Sequence, residues 1–500
     1  MKFNLIPPAF IVLVVLLTSC SQKSNVPVPE DAAIILHIDG NSLGNKLPWD
    51  EIRQSEWFKI ANEETKDSLV KKVLNNPDES GIDIKSDLFI FMKNQGRGAY
   101  AVVTGIIKDE KIFTGFVEKT SNITTSKEGD LSVVRSDKAV MTWKDNRFVF
   151  IADAPDFNTG GAIMGDRRYE ENRSFTPDSL VKFAQAVHSI KGKSSVGSNS
   201  RFTTMMKEKG DMHFWMNAGK MYGGALPAMM AITKASLLLE GNITAATLNF
   251  DNGKITIDGK SYYNKELEAL YKKYPMKNLD EAMLKKIPSQ NIAAVVAMNY
   301  PPEGLKEFLT LLGLDGIANM FLGQAGFSTD EFIKANKGDI LFAVSDFQMK
   351  VKEMQYDMDG QTSYSKSTQP DAKIIFAASV KDKTAFEKMI TVLREKLSGG
   401  GGAGMFDKIP YQLQDNWFIA GSDSATVFAF GTSSTDHAFI SKISGHPMGA
   451  FVDIQKFISG SKPAYASDTT ATRIADESLK VWKDITMYGG EFKGNAAISH

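Results

Sequence analysis

The sequence feature that most constrains this fold is an internal repeat, in which six short blocks recur in the same order in both halves of the chain. An apolar run that ends in Asp39 matches one that ends in Asn299, and the Asp145-Asn146 pair matches Asp415-Asn416. The blocks start at residues 33, 86, 103, 144, 214 and 243 in the first half, and at 293, 338, 377, 414, 450 and 485 in the second. A conserved order of this kind predicts two similar domains, residues 31–275 and 288–500.

The type of element in each half follows from its pattern. Strand-like runs occur in neighbouring groups near 99–119, 131–152, 244–262, 339–356 and 372–380, and helical patterns lie between them, for example at 219–240 and 383–397. Asp-Asn and Asp-Gly pairs between strand runs favour tight hairpins and antiparallel pairing. The predicted fold class is α+β, with two repeated domains that each consist of a largely antiparallel sheet and helices packed on one face.

Asp and Asn also end the strands that precede helical patterns, at Asp39, Asn217, Asn299 and Asp453. The favoured interpretation is helix capping, because these side chains accept hydrogen bonds from the first turn. The alternative is a set of ligands gathered at strand ends.

The first 19 residues predict a signal peptide, with Lys2 followed by an apolar run from Ala9 to Leu17 that is too short to span a bilayer. Leu17-Thr18-Ser19-Cys20 resembles the lipobox of bacterial lipoproteins. That resemblance implies lipid attachment at Cys20 and anchorage in a membrane. The segment from Ser21 to Pro29 is polar and contains two prolines, which predicts a tether over residues 20–30. Cys20 is the only cysteine, so the folded body cannot contain disulfides.

Composition excludes some classes of function. The formal net charge is −1 and the chain has no basic run, which argues against a nucleic-acid partner. The 43% hydrophobic and 23% charged content is ordinary for a globular body.

Few motifs suggest chemistry, and no cofactor, metal site or catalytic residue is predicted. Gly399, Gly401 and Gly404 match GxGxxG formally, but they follow a helix instead of a strand. Asp357 and Asp359-Gly360 lack the spacing of a calcium loop. The six histidines show no i,i+3 or i,i+4 pair, and His37 is expected to be a half-buried sheet residue.

Two further features have an ordinary explanation beside a functional one. Glu170-Glu171 is a carboxylate pair that we interpret as a solvated loop. Met229, Met230 and Ile232 lie on an apolar segment that is either an adaptable binding groove or, preferably, a helix packed on the sheet.

The lipobox, the tether ending in Val28-Pro29-Glu30-Asp31-Ala32, the strand into Ile38-Asp39, and then Ser42-Leu43 and Lys46 together resemble a family of uncharacterised lipoproteins of Bacteroidetes. That family has only a domain-of-unknown-function label. The resemblance implies an outer-membrane lipoprotein, and the lack of acids after Cys20 favours the periplasmic side.

Three functions stay open on the sequence. The first is a non-enzymatic binding or scaffolding lipoprotein with an envelope protein or glycan as partner. The second is a glycan or cell-wall hydrolase whose acids converge in space. The third is a carrier of lipid or another apolar ligand, which predicts a long apolar cavity between sheet and helices.

Overall fold

The computed structural model describes residues 26–65, 68–96, 98–154, 175–222, 234–324, 326–358, 361–399, 409–432 and 434–500. Within these ranges the chain forms eighteen strands that belong to one sheet. The strands of the first half are β1 Ile34–Ile38, β2 Leu88–Gln95, β3 Gly98–Ile106, β4 Ser126–Glu128, β5 Leu131–Arg135, β6 Ala139–Lys144, β7 Arg147–Ala154, β8 Met212–Asn217, β9 Ile243–Asp251 and β10 Lys254–Tyr262. Those of the second half are β11 Ile292–Asn299, β12 Asn336–Met358, β13 Gln361–Val380, β14 Tyr411–Gln414, β15 Trp417–Gly421, β16 Met448–Asp453, β17 Asp484–Lys493 and β18 Ala496–Ser499.

The helices connect and flank these strands. In the first half they are α1 Gly40–Lys46, α2 Trp49–Gln54, α3 Glu56–Glu64, α4 Ser68–Asn75, α5 Glu110–Ser121, α6 Pro177–His188, α7 Ser200–Met206, α8 Ala218–Tyr222 and α9 Lys265–Lys273. In the second half they are α10 Glu281–Leu284, α11 Pro302–Leu311, α12 Asp315–Gln324, α13 Thr329–Ala335, α14 Lys383–Gly399, α15 Ser424–Ala429, α16 Ile440–Ile443, α17 Ile454–Gly460, α18 Lys462–Tyr465 and α19 Thr469–Val481.

Every strand pair in the sheet is antiparallel, as the turn signals predict. In the first half the spatial order is β4-β5-β6-β7-β3-β2-β1-β8-β9-β10, and in the second half it is β18-β17-β16-β11-β12-β13-β15-β14. β10 pairs with β18, so the two halves join edge to edge at a seam.

The local signals behave largely as expected. The residues of both Asp-Asn turns have positive φ, between 48° and 61°, the conformation of the tight hairpin turn. Asp39 and Asp453 accept hydrogen bonds from the first turns of α1 and α17, and Asn217 accepts one from Lys220 in α8. The capping prediction is wrong for Asn299, which instead accepts from the backbone of Lys277 and donates to Asp339.

The architecture differs from the prediction in two respects. A single sheet passes through both halves, because the pairing of β10 with β18 satisfies two edges that separate domains would leave exposed. Helices also pack on both faces of the sheet in each half. The reason is that some strands have apolar side chains on both faces. In β7, the adjacent residues Phe148 and Val149 point to opposite faces and both are buried, so helices cover both faces there.

The region from 99 to 119 was predicted as strand and is strand only to Ile106, after which α5 begins at Glu110. Part of the segment predicted as a tether, residues 20–30, belongs to the folded body. Val26 and Val28 are buried in the main core of the first half, and Ser195 Oγ donates to the carbonyl oxygen of Val26 at 2.7 Å.

One element protrudes from the sheet. After a register shift between Ser345 and Gln348, β12 and β13 continue as a two-stranded ribbon, residues 348–358 and 361–371. Val351 in this ribbon is 54% exposed. The corresponding hairpin of the first half, β2–β3, is short.

Candidate functional site

The two faces of the sheet differ in how well they are covered. Val295 in β11 is fully buried, whereas its neighbour Val296 is 49% exposed. In β12, Leu341 is fully buried and Phe342 is 39% exposed. We call the side of Val295 and Leu341 the covered face and the side of Val296 and Phe342 the open face. Solvated faces of antiparallel sheets are ordinarily polar, so an open face made of apolar side chains is unusual.

The open face is continuous across the seam between the halves. The strand registers connect one row of cross-strand partners from β5 to β14, in which Ser499 is the only residue with a polar side chain. In spatial order the row is Val134, Met141, Phe150, Val103, Ile90, Leu36, Phe214, Ala246, Gly259, Ser499, Gly489, Met448, Met298, Ile340, Ala378, Phe418 and Leu413.

Several large apolar side chains of the open face are more than a third exposed, on both sides of the seam. They are Ile255, Ile257, Val296, Phe342, Ile374, Phe376, Met448, Ile485 and Met487. Contiguous exposed apolar surface of this kind marks a binding surface more often than a single exposed residue does.

Helices border the open face at its outer ends. In the first half α5 packs on it through Phe113 and Val117, and in the second half α14 does so through Phe386. Asn94, which follows Met92 on the open side of β2, donates to the carbonyl oxygen of Lys220 in α8 at 2.6 Å. The face is therefore the floor of a trough with helical borders.

Contacts outside the sheet also join the two halves. Arg473 in α19 forms ion pairs with Glu56 and Glu63 of α3, the second at 2.8 Å. The backbone N–H of Lys234 donates to the carbonyl oxygen of Leu312, after α11, at 2.9 Å. Arg473 lowers the pKa of both glutamates through these hydrogen bonds.

A pocket of about 160 Å³ lies under α5 at the outer end of the open face. Phe116, Val117, Met141 and Phe150 are among its lining side chains. A cavity of this size accommodates a group such as benzene or the end of a hydrocarbon chain. Neither of the two pockets described here is the long enclosed cavity expected for a carrier. The apolar surface is instead an open trough with this side pocket.

Two of the histidines come together on the covered face. His37 and His213 are cross-strand partners in β1 and β8, and their Nδ1 atoms lie 3.1 Å apart. His37 Nε2 is 3.2 Å from Asp87, and His213 Nε2 is 3.0 Å from the carbonyl oxygen of Glu208. Burial lowers the pKa of His213, which favours a neutral imidazole that bridges the strands.

His37 is therefore fully buried and not half-buried, and it has a histidine partner. Sequence spacing could not reveal the pair, because 176 residues separate its members. Within the described ranges, no group of three or more His, Cys, Asp or Glu side chains could hold a metal ion.

Other residues singled out from the sequence do not converge on a site. Gly399 ends α14 and Asp357 lies in β12. The remaining candidates fall outside the described residues: Cys20, Glu170, Glu171, Met229, Met230, Ile232, Asp359, Gly360, Gly401 and Gly404. No helix among those described has both the length and the apolar character required to cross a membrane.

Sequence reasoning did not identify the open face as a site, although a signal for it was present. The run from Ile292 to Met298 is apolar at both odd and even positions, which is typical of a strand with two apolar faces. The run alone cannot tell which of the two faces a helix will cover.

Comparison with solved structures gives matches to crystal forms III, IV and I of TP0453, with a TM-score of 0.27 for each. Sequence identity is 8–10%, and the matches cover 50–52% of this chain and 87–90% of the other. Similarity at this level establishes no shared function.

A comparison with curated proteins gives no significant match. The family model described as "Domain of unknown function (DUF4836)" matches residues 24–433, which is most of the chain. The chain therefore belongs to the DUF4836 family.

Proposed function

We propose that this protein is a non-enzymatic binding protein of the bacterial cell envelope that holds the hydrocarbon chain of a lipid on its open face. The observation that carries the proposal is the difference in exposure between the two faces of β11, where Val295 is buried and Val296 is 49% exposed. The exposed apolar face continues across the seam into the first half. Of the three functions considered from the sequence, this is the carrier of an apolar ligand.

The chemistry of the open face favours a hydrocarbon chain over a protein partner. Backbone N–H and C=O groups within the sheet are used in the strand ladders, and the row across the face contains one hydroxyl, that of Ser499. Protein interfaces typically contain about one hydrogen bond per 100–200 Å². A hydrocarbon chain needs apolar contact alone, at about 0.8 kcal/mol for each buried CH₂ group.

A hydrolase has no comparable support. A glycosidase requires two carboxyl groups about 5–10 Å apart beside the substrate. The lining of the two pockets described, of about 160 and 680 Å³, includes no Asp or Glu.

We also propose that a lipid on Cys20 anchors the protein in the outer membrane, facing the periplasm. Val26 is buried on the covered-face side, and six residue steps separate it from Cys20, at most about 22 Å of extended chain. A link of this length holds the covered-face side near the anchoring membrane and leaves the open face directed away from it. The open face would then receive a lipid from elsewhere in the envelope.

Two repeated units, residues 31–275 and 288–500, form part of the same proposal. β1 lies between β2 and β8, and β11 lies between β12 and β16 in the same sense. Duplication of one unit accounts for this correspondence and for a trough whose two sides are alike.

The test is binding of a neutral chain, oleyl alcohol, to purified protein with Cys20 replaced by Ala, measured by displacement of the neutral fluorophore N-phenyl-1-naphthylamine. Val296→Asp should weaken binding at least tenfold, because the carboxylate would have to lose water beside the chain. Val351→Asp in the ribbon is the matched control, since this valine is similarly exposed but lies away from the face. Absence of binding by the parent protein, or equal affinity in both variants, would refute the proposal.

A further inference from the structure

A second cavity lies where the ribbon leaves the sheet. It has a volume of about 680 Å³ and lies between the base of the ribbon on one side and α17 and α18 on the other. We call it the end cleft. Its polar lining side chains are Asn291, Gln348, Lys456, Ser459 and Lys462, and the ring of Phe347 forms part of an apolar wall.

The charge of the end cleft is positive. Lys456 and Lys462 line it, and no acidic side chain does. Lys462 is exposed and forms no ion pair with any described residue. Lys456 is 37% exposed, and its Nζ lies 2.9 Å from the carbonyl oxygen of Ile292 and 3.4 Å from Asp453.

Two acids beside the cleft accept hydrogen bonds from lining amides, Asp346 from Asn291 at 3.1 Å and Asp371 from Gln348 at 3.2 Å. Lysines outside the lining neutralise both acids. Asp346 pairs with Lys373 at 3.0 Å and Asp371 pairs with Lys350 at 2.5 Å. Asp453 caps α17 and is the one acid shared with a lining lysine. The cleft therefore keeps at least the full charge of Lys462 available for an anion.

The end cleft adjoins the open face. Asn291 directly precedes β11 and is three residues from Ala294, at most about 11 Å of extended chain, with a register shift between Ile292 and Ala294. Ala294 lies on the open face with Val344 and Val452 as its cross-strand partners. The ring of Phe347 contacts that of Phe457 in α17, with centroids 4.7 Å apart, and continues the apolar surface towards the two lysines.

We propose that the end cleft binds the acidic head group, a phosphate or a carboxylate, of a lipid whose chain lies on the open face. The inference rests on the proposed function and specifies the class of ligand: a single molecule with an anionic end and a hydrocarbon chain. Lys462 supplies the unpaired charge and Ser459 a hydroxyl donor. The amides of Asn291 and Gln348 each have a second N–H for an oxyanion, because one N–H of each is used on Asp346 or Asp371.

The test compares oleate with oleyl alcohol, which have the same chain and differ in the charge of the head group. Lys462→Gln should weaken oleate binding about fivefold, the effect of one partly exposed ion pair, and leave oleyl alcohol unchanged. Lys193→Gln is the control, because this lysine is exposed in the first half near Ser194, on the side of the covered face. Raised salt should weaken oleate binding and reduce the difference between Lys462→Gln and its parent.

The possible outcomes separate the two claims. If oleyl alcohol binds and Lys462→Gln has the same oleate affinity as the parent, the head-group site is refuted and the proposed function stands. If neither ligand binds the parent protein, both fail. Inorganic phosphate serves as an additional probe. If phosphate binds the parent protein as tightly as oleate does, and Lys462→Gln abolishes phosphate binding, the cleft recognises a free anion. The proposal of a lipid head-group site is then refuted.

Discussion

The contrast between the two faces of β11 gives a direct test on adjacent residues. Val295→Thr and Val296→Thr make the same atomic change, a methyl group to a hydroxyl of nearly equal size. Val295 is fully buried between Ala343 and Phe451, its cross-strand partners. Loss of the methyl group costs about 0.8 kcal/mol, and burial of a hydroxyl adds about 1–3 kcal/mol.

The expected decrease in the free energy of unfolding is therefore about 2–4 kcal/mol for Val295→Thr and within about 0.5 kcal/mol for Val296→Thr. Each kcal/mol corresponds to about 2–4 °C in Tm for a unit of 150–250 residues. Thermal and urea unfolding of the two variants and the parent protein, all with Cys20 replaced by Ala, provides the measurement. Equal shifts for the two threonine variants would show that both faces are buried to the same degree and would contradict the open face.

Two further predictions concern pH and the pairing of β17 with β18. Burial, with Lys144 and Arg147 nearby, lowers the pKa of His188 to about 4, below its unfolded value of 6.5. Protonation therefore favours the unfolded chain. The free energy of unfolding decreases as the pH falls from 6.5 towards 4. His188→Gln should flatten this part of the plot of Tm against pH, and an unchanged plot would show that another group is responsible. Gly489 and Gly494 both have positive φ, but a Cβ atom on Gly489 would lie 2.3 Å from the carbonyl oxygen of Ile498, whereas one on Gly494 would meet open space. Gly489→Ala should therefore lower Tm well beyond the effect of Gly494→Ala, which has the cost of a left-handed residue alone, about 1–2 kcal/mol. Comparable shifts would be evidence against the close approach of β17 to β18 at this position.

Local structure was the most predictable part of this protein. The Asp145-Asn146 and Asp415-Asn416 turns follow from side chains that tolerate positive φ, and their geometry is confirmed. The prediction failed between Lys108 and Ser121, where the apolar residues fit strand and helix alike. There Asp109 caps α5 by accepting a hydrogen bond from Ile112, and this local bond begins a helix.

The candidate site was not predicted from the sequence, although a signal for part of it was present. The apolar run of β11 indicated a strand with two apolar faces, but exposure depends on which helices pack against it. The end cleft unites Asn291, Gln348 and Lys462, which lie far apart in sequence, and no spacing rule connects them. The His37–His213 pair was missed for the same reason.

The sequence by itself determined the antiparallel pairing, the hairpin turns, most of the helix caps and the order of the strand blocks in each half. These features depend on contacts within a few residues or on the alternation of side chains along a strand, so the chain encodes them locally. Tertiary structure alone decided that β10 joins β18 in one sheet and that helices cover both faces at the outer ends. It also decided that the centre of one face stays open. The sheet is apolar on both faces, so its exposure depends on where helices that are distant in sequence pack against it.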